Sequence, residues 1–126
     1  MMNTLTTPRA LLGLFLGAAL IGGCATTSPP TEKMESSAAS IRGAEQAGAE
    51  DVPRAALYLQ LANEQSAKAK ALIAAGGKDN MRAAASLLMR ASADGDLAIA
   101  LADDDKDRLA AEHAVAEIHT YELQTQ

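Results

Sequence analysis

Residues 53–102 read PRAALYLQLANEQSAKAKALIAAGGKDNMRAAASLLMRASADGDLAIALA, and the spacing in this stretch decides the fold. Ala55, Leu59, Ala62, Ser66, Ala69 and Ile73 follow alternating steps of four and three, which is one face of a helix. Gly76-Gly77 interrupt the pattern, and it resumes as Met81, Ala84, Leu88, Ala91, Gly95, Ala98 and Ala102. Two periodic segments joined by paired glycines predict an antiparallel helical hairpin. Pro53 suits the first turn of its helix, where a missing N–H costs nothing. Asp79 is placed to cap the next helix. The seams are rich in small residues, and Gly95 in the middle of the second lets another helix come close. Leu57 and Leu61 lie off the first seam, so its opening turns are expected to be sandwiched between two neighbours.

Downstream, Asp103-Asp-Asp-Lys-Asp107 is followed by Leu109, His113, Ala116, Thr120 and Leu123 in a looser version of the same rhythm. No Pro or Gly follows Gly95. The favoured reading is one coiled-coil-like helix from about Asn80 to Leu123, roughly 66 Å long at 1.5 Å per residue. The rival is a turn at Asp103–Asp105 and a short fourth helix packed back. Upstream, Thr31 is placed to open a helix, with Glu32 at its positive end. Met34, Ala38, Ile41 and Ala44 recur on one side, Gly43 weakens it, and Gly48 ends it. Nothing alternates with period two in a way that calls for a strand. The fold expected is all-α, a helical hairpin or three-helix arrangement with a long Ala-rich C-terminal helix.

Before this domain (residues 32–126) stand two further segments. Residues 1–23 read as a lipoprotein signal peptide: a short n-region with Arg9, then the 12 apolar or small residues Ala10–Ile21. That run is too short to span a bilayer, which takes about 20 residues. It ends in Leu20-Ile21-Gly22-Gly23-Cys24, which resembles the lipobox recognised by the lipoprotein signal peptidase. Small residues before the Cys let the peptidase seat the backbone beside an alkylated thiol. Cys24 is the only cysteine in the chain, so no internal disulfide is possible. Lipidation of Cys24 by thioether-linked diacylglycerol and an N-linked acyl chain such as palmitate exceeds the two-signal need of stable anchoring. Residues 24–31 then form a flexible tether that includes Pro29 and Pro30. Ala25 follows the Cys where inner-membrane retention signals usually carry Asp, so the expected location is the outer membrane, facing the periplasm.

Removing the leader leaves ten basic residues against sixteen acidic, a net charge of −6 with His neutral. An acidic balance argues against nucleic acid and against adhesion to anionic lipid headgroups. Of the 103 residues from Cys24 on, 26 are Ala, and the only aromatics are Tyr58 and Tyr121. Ala favours helix but buries little surface, so slender helices of modest stability are expected.

The candidates for chemistry fail on spacing. Asp103, Asp105 and Asp107 suggest a calcium loop, but its sixth and twelfth places hold Arg108 and Ala114 instead of Gly and Glu. His113 and His119 are six apart, on opposite sides of a helix, and do not suit a metal. Gly76-Gly77-Lys78-Asp79 lacks the earlier Gly of a phosphate loop and has Asp79 where Ser or Thr belongs. No nucleophile is evident. No catalytic residue, metal, cofactor or small-molecule substrate is expected.

The run from Ala44 to Ala102 resembles a family of bacterial lipoproteins known as domain of unknown function 4398. The likeness rests on Ala47-Gly48-Ala49, Pro53, Ala62 and Ala69. It continues through the Gly76-Gly77-Lys78-Asp79 turn and Ala91-Ser92-Ala93-Asp94-Gly95-Asp96-Leu97-Ala98. It departs at Val52, where the family usually has Ala, and at Gly95, also usually Ala, so the long helix is expected to be softer there. The resemblance implies an Ala-rich helical module behind a lipobox, and no particular activity. The expected role is therefore structural: a membrane-tethered scaffold that binds an envelope protein or itself. The alternative is a module holding a lipid or cell-wall fragment, suggested by Leu57, Leu59 and Leu61.

Overall fold

The computed structural model describes residues 28–125, and the signal segment and Cys24 lie outside the described residues. Three α-helices and one 3-10 turn make up the described chain: α1 (Thr31–Gln46), the turn Ala49–Asp51, α2 (Pro53–Ala75) and α3 (Lys78–Gln124). No strand occurs among the described residues. The all-α hairpin with a long C-terminal helix is what the periodicity predicts. α3 runs unbroken through Asp103–Asp107 for 47 residues, about 70 Å at 1.5 Å per residue, and the turned-back fourth helix is absent.

The breaks fall where backbone chemistry requires them. Gly48 takes the left-handed conformation (φ 75°) after α1, and its N–H donates to the Glu45 carbonyl at 3.0 Å, closing the helix end. Val52 is extended ahead of Pro53 (φ −108°, ψ 111°), as the residue before proline must be. Gly76 and Gly77 both have positive φ, 71° and 88°, which side chains resist. Asn80 ties this turn by donating from Nδ2 to the Gly76 carbonyl at 2.7 Å. Asp79 does not cap α3. The cap position is Gly77, and the Asp79 carboxylate, already inside the first turn, pairs with Arg82 at 3.3 Å.

α2 and the first half of α3 form the antiparallel hairpin, and α1 lies mainly against α3. α1 runs parallel to α3: Ser36 and Ser40 meet Ser92, while Gly43, further along, faces Ile99. Both hairpin seams are buried as their spacing predicts, from Ala55 to Ala69 in α2 and from Ala84 to Ala102 in α3. Only their outer members, Ile73 and Met81, are half-buried.

The core divides in two. A lower cluster of Ala69, Ala84 and Leu88 is flanked by Met34, Leu72, Ile73 and Leu87. An upper cluster gathers Ile41, Ala44, Leu59, Ala62, Ala98 and Ala102, among others. Between the two levels every helix supplies small buried residues: Ser37 and Ser40 from α1, Ser66 from α2, Ala91 and Gly95 from α3. This waist corrects the expected face of α1, since Ser37 and Ser40 are buried and Ala38 is only half-buried. Their hydroxyls are satisfied inside, Ser37 donating to the Met34 carbonyl at 3.0 Å and Ser40 bonding Ser92 at 3.0 Å, so burying them is tolerable. Gly95 permits the close approach: a Cβ there would lie 2.8 Å from Ser40 Cβ. Despite Gly95, α3 does not break.

The expected sandwiching of α2 at its start reduces to one side. Leu59 is in the core, Leu61 is half-buried, and Leu57 is exposed.

Candidate functional site

α1 and α2 both end at the level of Ala102, where the 3-10 turn joins them, and α3 continues alone. From Lys106 to Thr125 every residue is exposed. These last 22 helical residues, Asp103 to Gln124, form an arm of about 33 Å on which no other described element packs. It projects from the end of the bundle opposite to that at which the chain arrives through Ser28-Pro29-Pro30, because α1 is parallel to α3.

The arm continues the seam of the bundle. Ala102, Leu109, Ala116 and Leu123 are seven apart and continue the heptad positions of Leu88 and Gly95. A second stripe of Ala111, Ala114, Val115, Ile118 and Tyr121 lies on the far side. Val115 is 67% exposed and Leu123 63%, values unlike those of the bulky residues in the bundle seams. Solvation of so much apolar surface is unfavourable.

Local interactions hold the arm helical without a partner. Arg108 donates to Asp105 at 2.6 Å and to Glu112 at 2.7 Å, and Lys106 to Asp103 at 3.1 Å. The hydrogen bond that it donates to Asp105, then that to Glu112, raise the pKa of the Arg108 guanidinium above its ordinary value. Exposed pairs of this kind each contribute little. Twenty-two Ala-rich residues exceed the roughly 12–15 that a lone helix needs to be marginal.

No family model, curated protein or solved structure matches this chain.

The residues singled out for chemistry are dispersed. Asp103, Asp105 and Asp107 stand in mid-helix, not in a loop, and the first two are bridged by Lys106 and Arg108. His113 and His119 are exposed on the arm, with His119 Nδ1 3.8 Å from Glu122, far from every serine of the bundle. Among the described residues no group of three His, Cys, Asp or Glu is placed to hold a metal ion. Likewise no described helix is long and apolar enough to cross a membrane. Leu20, Ile21, Gly22, Gly23 and Cys24 lie outside the described residues. The grooves of the bundle are open. One of about 390 Å³ between α1 and α3 is lined by Lys33, Ser36, Met89, Ser92 and Asp96, and its two hydroxyls are bonded to each other. Leu57, Leu59 and Leu61, offered by the sequence as a binding face, line no common groove.

Sequence reasoning missed the serine waist, because burial of a hydroxyl depends on a partner 52 residues away. Gly43 costs helix propensity, as the sequence suggests, and the space it leaves is occupied by the end of the Ile99 side chain, whose Cδ1 would lie 2.8 Å from a Cβ there.

Proposed function

We propose that this protein is an interaction module of the bacterial envelope. Its lipidated Cys24 anchors it to the outer membrane, and the α3 arm is presented to the periplasm as a docking helix. The single observation that carries this is the arm itself: a preformed helix whose apolar seam is continuous with the bundle's and is covered by no other described element. No enzymatic step is part of the reading. Membership of the family known as domain of unknown function 4398 belongs to the same proposal, supported by the leader, the turn sequence and the Ala-rich seams.

A seam of alternating small and bulky residues suits another helix better than a small ligand, because helices interlock knobs into holes along their length. The partner is an envelope protein or a second copy. The test is a photo-crosslinking residue at Val115 in the full chain, expressed in a cell that makes it, with a matching probe at exposed Ala83 on the bundle. Adducts to one protein species from Val115 and not from Ala83 are expected. Absence of any protein adduct from Val115 would overturn the reading.

A further inference from the structure

The net charge of the chain conceals a separation of charge along its axis. Between Gln65 and Ala93, around the α2–α3 turn, there are five basic residues (Lys68, Lys70, Lys78, Arg82 and Arg90) and one acidic residue, Asp79, and the first turns of α1 at the same end add Lys33 against Glu32 and Glu35, so this end keeps a net positive charge. All five cations are exposed. Only Arg82 has an ion-pair partner among the described residues, and that partner is Asp79. The arm is the reverse. From Asp103 to Gln124 it carries seven acidic residues and two basic. Lys78 and Glu117 are 39 residues apart on one helix, about 58 Å.

The basic end is also the end at which the chain arrives. Met34, in the first turn of α1, packs against the cluster of Ala69, Ala84 and Leu88 near the turn, as do Leu72, Ile73 and Leu87. Whatever precedes Ser28 therefore leaves the bundle on the side of Lys70 and Lys78. The tip between these lysines is small and unobstructed, with Ala71, Ala74 and Ala75 exposed and Gly76-Gly77 at the apex.

We infer that the α2–α3 turn rests on an anionic lipid surface through Lys68, Lys70 and Lys78, and stands the rod upright with its acidic arm outward. This inference deepens the anchored-module reading and rests on it for the nearness of a membrane. The overall charge of −6 does not oppose it. At physiological salt the Debye length is about 8 Å, so an arm several tens of ångströms from the surface is screened from it. The surface interacts with the local charge of the tip. A Lys or Arg held at an anionic membrane is worth about 1 kcal/mol, about fivefold in binding. Three unpaired lysines then favour anionic over neutral lipid by about a hundredfold. Alone this is weak; with a lipid chain inserted nearby it orients the molecule.

The test uses residues 25–126, which contain every described helix and the whole core but no Cys24, so its outcome is independent of lipidation. Sedimentation with phosphatidylcholine vesicles, with and without phosphatidylglycerol, measures the partition. Binding to the phosphatidylglycerol vesicles is expected to exceed binding to the neutral ones by about a hundredfold and to weaken with added salt. The triple variant Lys68→Gln, Lys70→Gln, Lys78→Gln is expected to remove that preference while its helical circular dichroism is unchanged. Equal partition to both vesicles, or full binding by the triple variant, overturns the inference. Salt-sensitive self-association that the same variant abolishes, without vesicle binding, assigns the basic end to another copy's acidic arm instead. Failure of the anchored reading shows separately, as an unmodified Cys24 in the mass of the envelope-purified protein.

Discussion

Gly95→Ala is the substitution that most directly probes how the three helices meet. In an exposed helix the change stabilises, because Ala is favoured over Gly by about 1 kcal/mol. Here the new Cβ would lie 2.8 Å from Ser40 Cβ, 3.0 Å from the Ser40 carbonyl carbon and 3.2 Å from the Ile41 nitrogen. Two of those atoms are backbone and cannot rotate aside, so α1 itself must move off α3. Overpacking of this kind costs about 1–3 kcal/mol. Set against the propensity gain, the net expectation is destabilisation by about 1 kcal/mol. In a domain of this size that lowers the melting temperature by roughly 4–8 °C. Gly43→Ala is the internal control. Its Cβ would meet Ile99 Cδ1 at 2.8 Å and Cγ1 at 3.7 Å, both on a side chain that can change rotamer. The same replacement is therefore expected to be neutral or to raise stability by up to about 1 kcal/mol. Thermal unfolding of residues 25–126 followed by circular dichroism at 222 nm reads both. If Gly95→Ala melts as high as the parent or higher, α1 does not approach α3 at the waist and the packing described above is wrong.

Three other outcomes follow from burial and backbone geometry. Leu88, the largest fully buried side chain, is expected to lose about 2–5 kcal/mol on replacement by Ala, whereas Leu57→Ala, at 55% exposed, should stay within about 0.5 kcal/mol; urea titrations of the two compare them directly. Gly77→Ala meets no atom within 4 Å yet sits at φ 88°, so it should destabilise by about 1–2 kcal/mol through the backbone alone, read in the same titration. A stop after Lys106 removes only exposed residues; the melting midpoint of the bundle should move by no more than a degree or two while helical signal drops, and a large fall would show that the arm folds back on the bundle.

The parts of the fold legible in the sequence are those where one periodicity governs a whole element. The α2 and α3 seams repeat steps of four and three over 19 and 22 residues, and all the positions they select except the outermost, Ile73 and Met81, are buried. α1 is shorter and its buried face is half serine, so hydropathy selected Ala38 and overlooked Ser37 and Ser40. A hydroxyl is tolerated inside only because of its partners, Ser92 and the Met34 carbonyl, and one-dimensional patterning does not contain them. Asp79 has the right residue type for a cap two residues too late, since the two glycines let the helix start at Lys78. The continuity of α3 through four aspartates was legible from the absence of Pro and Gly, and the structure adds the reason: Lys106 and Arg108 answer Asp103 and Asp105 one turn away. The arm as a surface was only half legible. Its seam could be read, but that α1 ends and α2 begins short of it depends on how the three helices line up in space.

The distribution of bulk between bundle and arm is the reverse of what folding alone favours. Within the bundle, α3 buries one large apolar side chain, Leu88, among alanines and a glycine. On the arm, Leu109, Val115, Ile118, Tyr121 and Leu123 are all exposed. Fully burying one such side chain is worth about 1.5–3 kcal/mol, so the unrealised hydrophobic stabilisation on the arm exceeds what the alanine seam provides per residue. Covering the arm by a partner recovers it, and because the helix is already formed, less ordering entropy opposes binding than for an unfolded segment. The contact strip is limited, however, to about 33 Å of one helix some 10 Å across, at the lower end of stable interfaces. An interface of that size is weak between freely diffusing molecules and effective between molecules held to the same surface, where the local concentration is high. On the anchored reading proposed above, a basic foot at the incoming end and a bare apolar arm at the other answer one requirement: the membrane would supply the concentration that the interface, by its size, lacks.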